Sequence, residues 1–508
     1  MRIESRTDPS RRIALALAAV ALLVHLLTIN RYGYFRDELY YIACSRHLAF
    51  GYVDLAPLSA LLLRIETAIF GTSLFALRLF PAFAHAATIV LTGAIARELG
   101  GRAWAVALAC VGSLSAIVYL AIGNFYSLNA FEPLFWGGCV YLLVRILNGG
   151  SPRLWLWFGL VAGLGVENKH SIAFFGAGLL IALLITRERR HLAQPWIWLG
   201  GLIAIVVALP NILWQIAHHW PTWELLNNIA HSHKNVVLTP AQFVAQQVLI
   251  MNPATLPLWL GGLVWLLVRP KYRALGLGYL VTLAIFILLH GKHYYFAPIY
   301  PMLFAAGGVA VETFFANRLR WMQPVFAALL IGAAALLAPT VMPLLPPQTL
   351  LNYMRAIHFE PPRTETSHTA ALPQLFADQF GWEEMVQSIA RVYHSLPSDE
   401  QQRAGIYCGN YGEAGAVDFF GSKYGLPNAV SGHQNYYLWG ARGYTGEIMI
   451  VLDTRDTDER QQFDSVEDAG LVESSRWAMP WEQRTHIYVC RGLHGTLDEL
   501  WPKLKEWL

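Results

Sequence analysis

"RYGYFRDELYYIACSRHLAFGYVDLAPL" occupies residues 31–58, directly after an apolar run over 13–29. A run of that length can cross a bilayer. Asp37 and Glu38 then stand side by side at its exit, and Asp54 follows in the same connection. Acids at the end of a span are costly unless they are solvated, paired or used. Two readings of the pair are open from these residues alone. It is neutralised at the interface by Arg31 and Arg36, or it does chemistry there.

The rest of the chain supports a membrane setting. Of its 508 residues 55% are hydrophobic and 14% charged, against about 25% charged in soluble domains. The 18 Trp and 41 Gly suit interface belts and close helix packing. A net charge of +3 without a basic tail gives no sign of a nucleic-acid partner. Cys44, Cys110 and Cys139 lack metal-ligand spacing and read as small apolar packing residues.

Apolar stretches lie at 13–30, 76–96, 103–122, 129–147, 154–166, 170–186, 196–214, 252–268, 274–290, 296–315 and 321–340, about eleven spans by length. The fifth and sixth are short and read as a hairpin with "ENKH" (167–170) at its tip; the alternative is one long interrupted helix, which would invert everything downstream. Every second connection is basic: Arg2, Arg6, Arg11 and Arg12; Arg97 and Arg102; Arg145 and Arg153; Arg187, Arg189 and Arg190; Arg269, Lys271 and Arg273; Arg318 and Arg320. The positive-inside rule then places the N-terminus in the cytoplasm and everything beyond 340 outside. The first span reads as a retained helix, since no small-residue cleavage site follows it. Residues 31–75 become the first extracytoplasmic loop, with "PLSALLLRIETAIFG" as an amphipathic run lying in the interface. "GNFYS" (123–127), "ENKH", the loop 215–250 and "HGKHYYF" (290–296) fall on the same side.

Three regions follow: a membrane domain at 1–340, a Pro-rich linker at 341–372, and an extracytoplasmic domain at 373–508. In the last, "RAGIYC", "GEIMIVLD" and "RTHIYVC" read as buried strands. "EAGAVDFFGSKYG" reads as a helix, giving a small α/β layer. Cys408 and Cys490 would pair if their strands are neighbours.

The unusual polar residues thus face one compartment. Asp37, Glu38 and Asp54 meet Lys169, Lys292 and the His/Tyr group of "KHYYFAPIYP". Carboxylates with cations at a bilayer surface suit a reaction on a lipid-linked phosphate. A carboxylate takes the proton of an attacking hydroxyl, and cations stabilise the departing phosphate.

"FRDELYY…GYVDLAPL" together with "KHYYFAPIYP" resembles the bacterial dolichyl-phosphate-mannose-protein mannosyltransferase-like branch, glycosyltransferase family 39. It is similar as well to the protein O-mannosyltransferases and the lipid A aminoarabinose transferases. The resemblance covers roughly residues 10–340 and implies the GT-C fold: a polytopic α-helical membrane protein with its active site outside the cytoplasm. It implies an inverting glycosyltransferase in a bacterial plasma membrane. The donor would be a polyprenyl-phosphate sugar and the acceptor a hydroxyl of protein, lipid or glycan. Residue by residue, it places the catalytic acid on Asp37, its partner on Glu38 and the later loop acid on Asp54. Lys292 and Tyr295 become substrate-binding residues, with Lys169, His293, Tyr294 and Arg36 beside them. The tail stretch "NYGEAGAVDFFGSKYGLPNAVSGHQNYYLWG" looks like the C-terminal domain of bacterial members. No cofactor is required by this scheme. A divalent metal would assist phosphate departure, but the sequence offers no ligand cluster for one.

Other polar features read more plainly. His218, His219, His231 and His233 lack the spacing of helix-borne ligands and read as interfacial. Glu132 before Pro133 reads as a helix-start acid, and the aromatics of "NYYLWG" as packing. "CGNYGEAG" sets glycines at a helix start but is no GxGxxG fingerprint. The alternative function is a transporter or flippase for a lipid-linked sugar, which would show internal repeats and mid-depth polar residues.

Overall fold

The computed structural model describes residues 9–232, 234–315, 319–362, 365–366, 370–479 and 482–508. Arg2, Arg6, His233 and Arg318 lie outside the described residues. Among the described residues six helices are long and apolar enough to cross a membrane: Pro9–Thr28, Leu74–Glu98, Leu128–Leu147, Pro195–Ala217, His293–Phe314 and Met322–Thr340. The pair Pro240–Ile250 and Pro253–Val268 is bent by 98° and would make one broken span. Four shorter apolar helices accompany them, Ala103–Ser115, Leu154–Asn168, Ile172–Leu184 and Arg273–Leu288. The stretch read as one span over 103–122 is interrupted at Ala116, where the backbone is extended before Ile117–Ile122 continues.

Lipid gives helices no hydrophobic reason to associate, so small residues let their backbones approach. Gly159 and Gly200 face each other this way, each leaving no room for a Cβ against the other helix's backbone. Gly262 against Leu303 and Gly307, and Gly308 against Ala105, repeat the device. At one end of the bundle the basic turns gather. Glu98 pairs with Arg145, Asn148 bonds the Glu98 carbonyl and the Tyr272 hydroxyl, and Glu312 accepts the N–H groups that begin the Ala103–Ser115 helix.

At the other end the first connection folds into two helices, Arg36–Arg46 and Pro57–Phe70. Asp37 and Glu38 fall in the first turn of the former, where acids are favoured by the helix dipole. Pro57 opens the latter, which buries Ser59, Ala60, Leu63 and Glu66. Its Leu61, Ile65, Ile69 and Phe70 stay exposed, an apolar face turned outward.

The tail carries a five-stranded sheet: β1 (Ala404–Cys408), β2 (Ala429–Val430), β3 (Ile448–Asp453), β4 (Phe463–Leu471) and β5 (His486–Leu493), in the order β2-β1-β3-β5-β4. β1 runs parallel to β2 and β3, whereas β5 is antiparallel to β3 and β4. β3 therefore separates the strands that end in Cys408 and Cys490. The two thiols also belong to cores on opposite faces of the sheet, and both are free. The strands are not neighbours, which removes the condition for a disulfide.

One apolar core joins the tail to the first connection. Leu39, Tyr40, Ile42 and Cys44 pack in the same cluster as Trp382, Ile389, Ile406, Ala414 and Val417. Residues 341–372, read as a linker, hold a helix at Pro347–Ala356, and Glu365 forms an isolated bridge with Asn235.

Candidate active site

A cavity of about 1630 Å³ opens between the bundle and the tail domain. Asp37 and Asp54 line it with Arg36, Lys169, Lys234, Lys292, Tyr294, Tyr295, Glu365 and Tyr411. Ile117, Val118, Ile122, Phe174, Leu249, Phe286, Leu289 and Leu337 give it an apolar flank. The first-loop acids, the "ENKH" tip and the "KHYYF" segment, far apart in sequence, thus share one space.

The adjacent acids part company at once, since neighbouring helical residues point in different directions. Asp37 is partly exposed in the cavity, with its Oδ1 accepting from the Tyr411 hydroxyl at 2.9 Å and 3.6 Å from Arg36 Nε. Glu38 is fully buried and does not line the cavity. Its two oxygens take Nε and Nη2 of Arg78, each at 2.9 Å, and the N–H groups of Phe35 and Tyr126, each at 2.8 Å. The grouping of Glu38 with the reacting acids is therefore corrected: its lone pairs are occupied, and Arg78, itself buried, requires the charge.

Asp54 accepts from the Tyr40 hydroxyl at 2.7 Å. Burial pushes its carboxyl up to about 7, against that hydrogen bond and with the help of the Asp37 charge. Arg36 lies over the Tyr411 ring, 5.5 Å from its centroid, and reaches the buried Asp378 at 3.8 Å. Burial likewise lifts Asp378 to about 7, although Arg36 opposes it.

The cations differ in how far they are engaged. Lys169 Nζ bonds Asn129 at 2.6 Å and Glu132 at 3.3 Å, and sits 3.1 Å from the centroid of the Tyr295 ring. Glu132 also accepts from Ser171. Glu132, read as a helix-start acid, is thus the counter-ion of Lys169 as well. His170 is held by Asn211, which in turn reaches the Phe50 carbonyl of the first connection. Lys292 Nζ is 3.5 Å from Glu365. His293 is buried and offers its backbone carbonyl to Gln247, while the Tyr294 and Tyr295 rings meet edge to face.

Sequence reasoning missed Lys234, Glu365 and Tyr411. Lys234 lies in the loop whose histidines drew notice, Glu365 in the presumed linker, and Tyr411 in the glycine-rich "CGNYGEAG". Burial would raise the Glu365 carboxyl, but Lys292, Arg36 and Lys234 outweigh it and bring it down to about 2. Burial lowers Lys234, which Glu365 partly offsets. His218 stacks on Trp214 and His231 bonds the Asn227 carbonyl, so these rings serve their own helix ends. Among the described residues no three His, Cys, Asp or Glu side chains gather as a metal site.

Residues 54–214 match the family described as dolichyl-phosphate-mannose-protein mannosyltransferase. That segment contains Asp54 and Lys169, and stops short of Asp37 on one side and Lys292 on the other. Lipid A galacturonosyltransferase RgtD of Rhizobium johnstonii is 27% identical over 226 residues, 44% of this chain and 47% of that protein. The chain thus spans about half the length of this curated relative. Lipopolysaccharide core galacturonosyltransferase RgtA of the same organism is 29% identical over 113 residues, 21% of this chain and 23% of that one. The crystal structure of ArnT from Cupriavidus metallidurans bound to undecaprenyl phosphate superposes with a TM-score of 0.59 at 14% identity, covering 93% of this chain and 97% of that one. The fold over most of the chain is therefore that of ArnT, and residues 54–214 are similar to the dolichyl-phosphate-mannose-protein mannosyltransferases.

Proposed function

We propose that the protein is an integral membrane glycosyltransferase that moves a sugar from a polyprenyl-phosphate donor to a hydroxyl acceptor outside the cytoplasm. One observation carries this reading: a single cavity joins carboxylates, cations and an apolar flank. A lipid-linked phosphate needs all three. Its chain lies along the apolar wall, its phosphate meets cations, and its sugar reaches the acids.

Asp37 accepts the proton of the acceptor hydroxyl. The hydroxyl oxygen forms a bond to the anomeric carbon from the face opposite the phosphate. The carbon–oxygen bond to phosphate breaks, its electron pair stays on the phosphate, and configuration inverts. Base and leaving-group stabilisation are the two terms such a reaction requires. Lys292 and Arg36 hold the phosphate. Against burial, Lys292, Arg36 and Lys234 together draw the Glu365 carboxyl down, which supports an anion site in this corner. Lys169, engaged by Glu132, shapes the Tyr295 wall rather than meeting the phosphate directly. Asp54, carrying a proton part of the time near neutral pH, donates to or accepts from sugar hydroxyls. Residues 1–340 form the membrane part and 373–508 the outer domain, joined by 341–372. The N-terminus is cytoplasmic and the setting a bacterial inner membrane.

Two relatives bear names that specify galacturonosyl transfer to lipid A or the lipopolysaccharide core. The first donor to supply is therefore a polyprenyl-phosphate galacturonic acid with lipid A as acceptor, followed by neutral and amino sugars. Purified protein in detergent should move label from one donor of such a panel to an extractable lipid or glycan. Donor binding without transfer across the whole panel would favour a carrier of lipid-linked sugars instead.

A further inference from the structure

We propose that Tyr411, carried into the cavity by the tail domain, is a positioning residue for Asp37. Its hydroxyl holds one carboxylate oxygen so that the other faces the acceptor. The inference rests on the glycosyltransferase reading and adds the outer domain to the site that performs it.

The local sequence is built for this delivery. Asn410 begins the helix Tyr411–Phe420 by accepting the N–H groups of Gly412 and Glu413. Glu413 ties the end of β1 to the same turn through the Gly409 N–H at 2.9 Å. A Cβ at Gly412 would lie 2.5 Å from Arg36 Cγ, and one at Gly415 about 3.0 Å from the Leu39 backbone. The glycines of "CGNYGEAG" therefore let this helix rest directly on the helix that bears Asp37. Tyr411 is fixed on several sides. Its ring packs 4.7 Å from Tyr40, which bonds Asp54, and 4.9 Å from His433, which also receives its N–H at 3.3 Å.

The chemistry is one-directional. Burial keeps the phenol protonated far above neutral pH, so it donates and a carboxylate accepts. A donated hydrogen bond favours the charged form of an acid, the form a base must have. It also restricts the carboxylate, whose other near partner is Arg36 at 3.6 Å.

Two full-length variants test this in purified protein: Tyr411→Phe, and replacement of Tyr411 by 3-fluorotyrosine, a stronger donor of nearly equal size. The readouts are kcat at saturating donor and acceptor, the KM of each, and thermal unfolding. The phenylalanine variant should lose about tenfold in kcat, the scale of one hydrogen bond to a charged group, with both KM values unchanged. The fluorinated protein, which keeps the donor, should retain at least wild-type kcat. Equal kcat in an active wild type and the phenylalanine variant would overturn the proposal, whatever happens to the melting temperature. An inactive wild type would instead overturn the glycosyltransferase reading, and the role of Tyr411 with it.

Discussion

Glu38 and Asp37 differ by one position and by everything that surrounds them. Glu38 neutralises Arg78 in a site where both are essentially inaccessible. Glu38→Gln leaves that guanidinium buried without its counter-ion, and breaking a buried pair from one side costs about 3–5 kcal/mol. The variant should unfold at markedly lower temperature and lose activity only as it loses structure. Asp37→Asn should do the reverse. It keeps size and the Tyr411 contact but removes the basic oxygen, so turnover falls by on the order of a hundredfold or more while melting and donor binding stay near wild type. Wild-type turnover at saturating donor and acceptor would reduce Asp37 to an interface charge. Asp54 gives a pH-dependent case. Its carboxyl is raised from 3.8 to about 7, so between those values the unfolded chain releases a proton that the folded protein retains. Folding stability from this group is full below about 4 and declines as pH rises to about 7. Asp54→Asn, which cannot ionise, should match wild type at pH 4, melt progressively higher than it towards pH 7, and hold a constant advantage above. A difference independent of pH would mean that the Asp54 charge is not what burial opposes.

At the scale of elements, the longest apolar helices were legible because length and composition alone decide them; of about eleven spans expected, six helices among the described residues are long enough to cross, and the rest are shorter or broken. The strands β1, β3 and β5 were legible because each is a short buried run between turn residues. β2 and β4 were not. The first has only two residues, and the second alternates exposed acids with few apolar positions. The acids of the first connection could be singled out because charge at a span end is expensive. That they would face apart was legible too, because adjacent residues point in different directions, but the partners of Glu38 were not, since Arg78 and Tyr126 reach it from distant positions. Nor could sequence show that "CGNYGEAG" marks a docking face: glycine at a helix crossing looks the same as glycine in a loop. That face is testable. In Gly415→Val the new side chain meets the Leu39 backbone, which cannot turn aside as a side chain would. The tail should loosen from the first-loop helix, seen as faster proteolytic release of residues beyond 372 and a fall in turnover without loss of the membrane part. Unchanged proteolysis and turnover would show that the two helices can separate at no cost to the site.

At the scale of the whole molecule, sidedness is a single question with many consequences. The first connection, the "ENKH" tip, the "KHYYF" segment and the tail domain converge on one cavity. They must therefore share a compartment, whichever it is. The basic turns collect at the opposite end, where Arg145 meets Glu98 and Asn148 meets Tyr272. The orientation we propose, with positive charge retained in the cytoplasm, puts the cavity outside. The five native cysteines are all buried, so the background for a membrane-impermeant thiol reagent is low. Arg189 and Arg355 are both exposed, the first in a basic turn and the second just before the segment that carries Glu365 into the cavity. In intact cells Arg355→Cys should be labelled and Arg189→Cys should react only after permeabilisation. Labelling of Arg189→Cys alone would turn the cavity towards the cytoplasm. Asp37, Asp54, Lys292 and Tyr411 would turn with it, because the shared core of the first-loop helix and the tail leaves none of them free to face the other side.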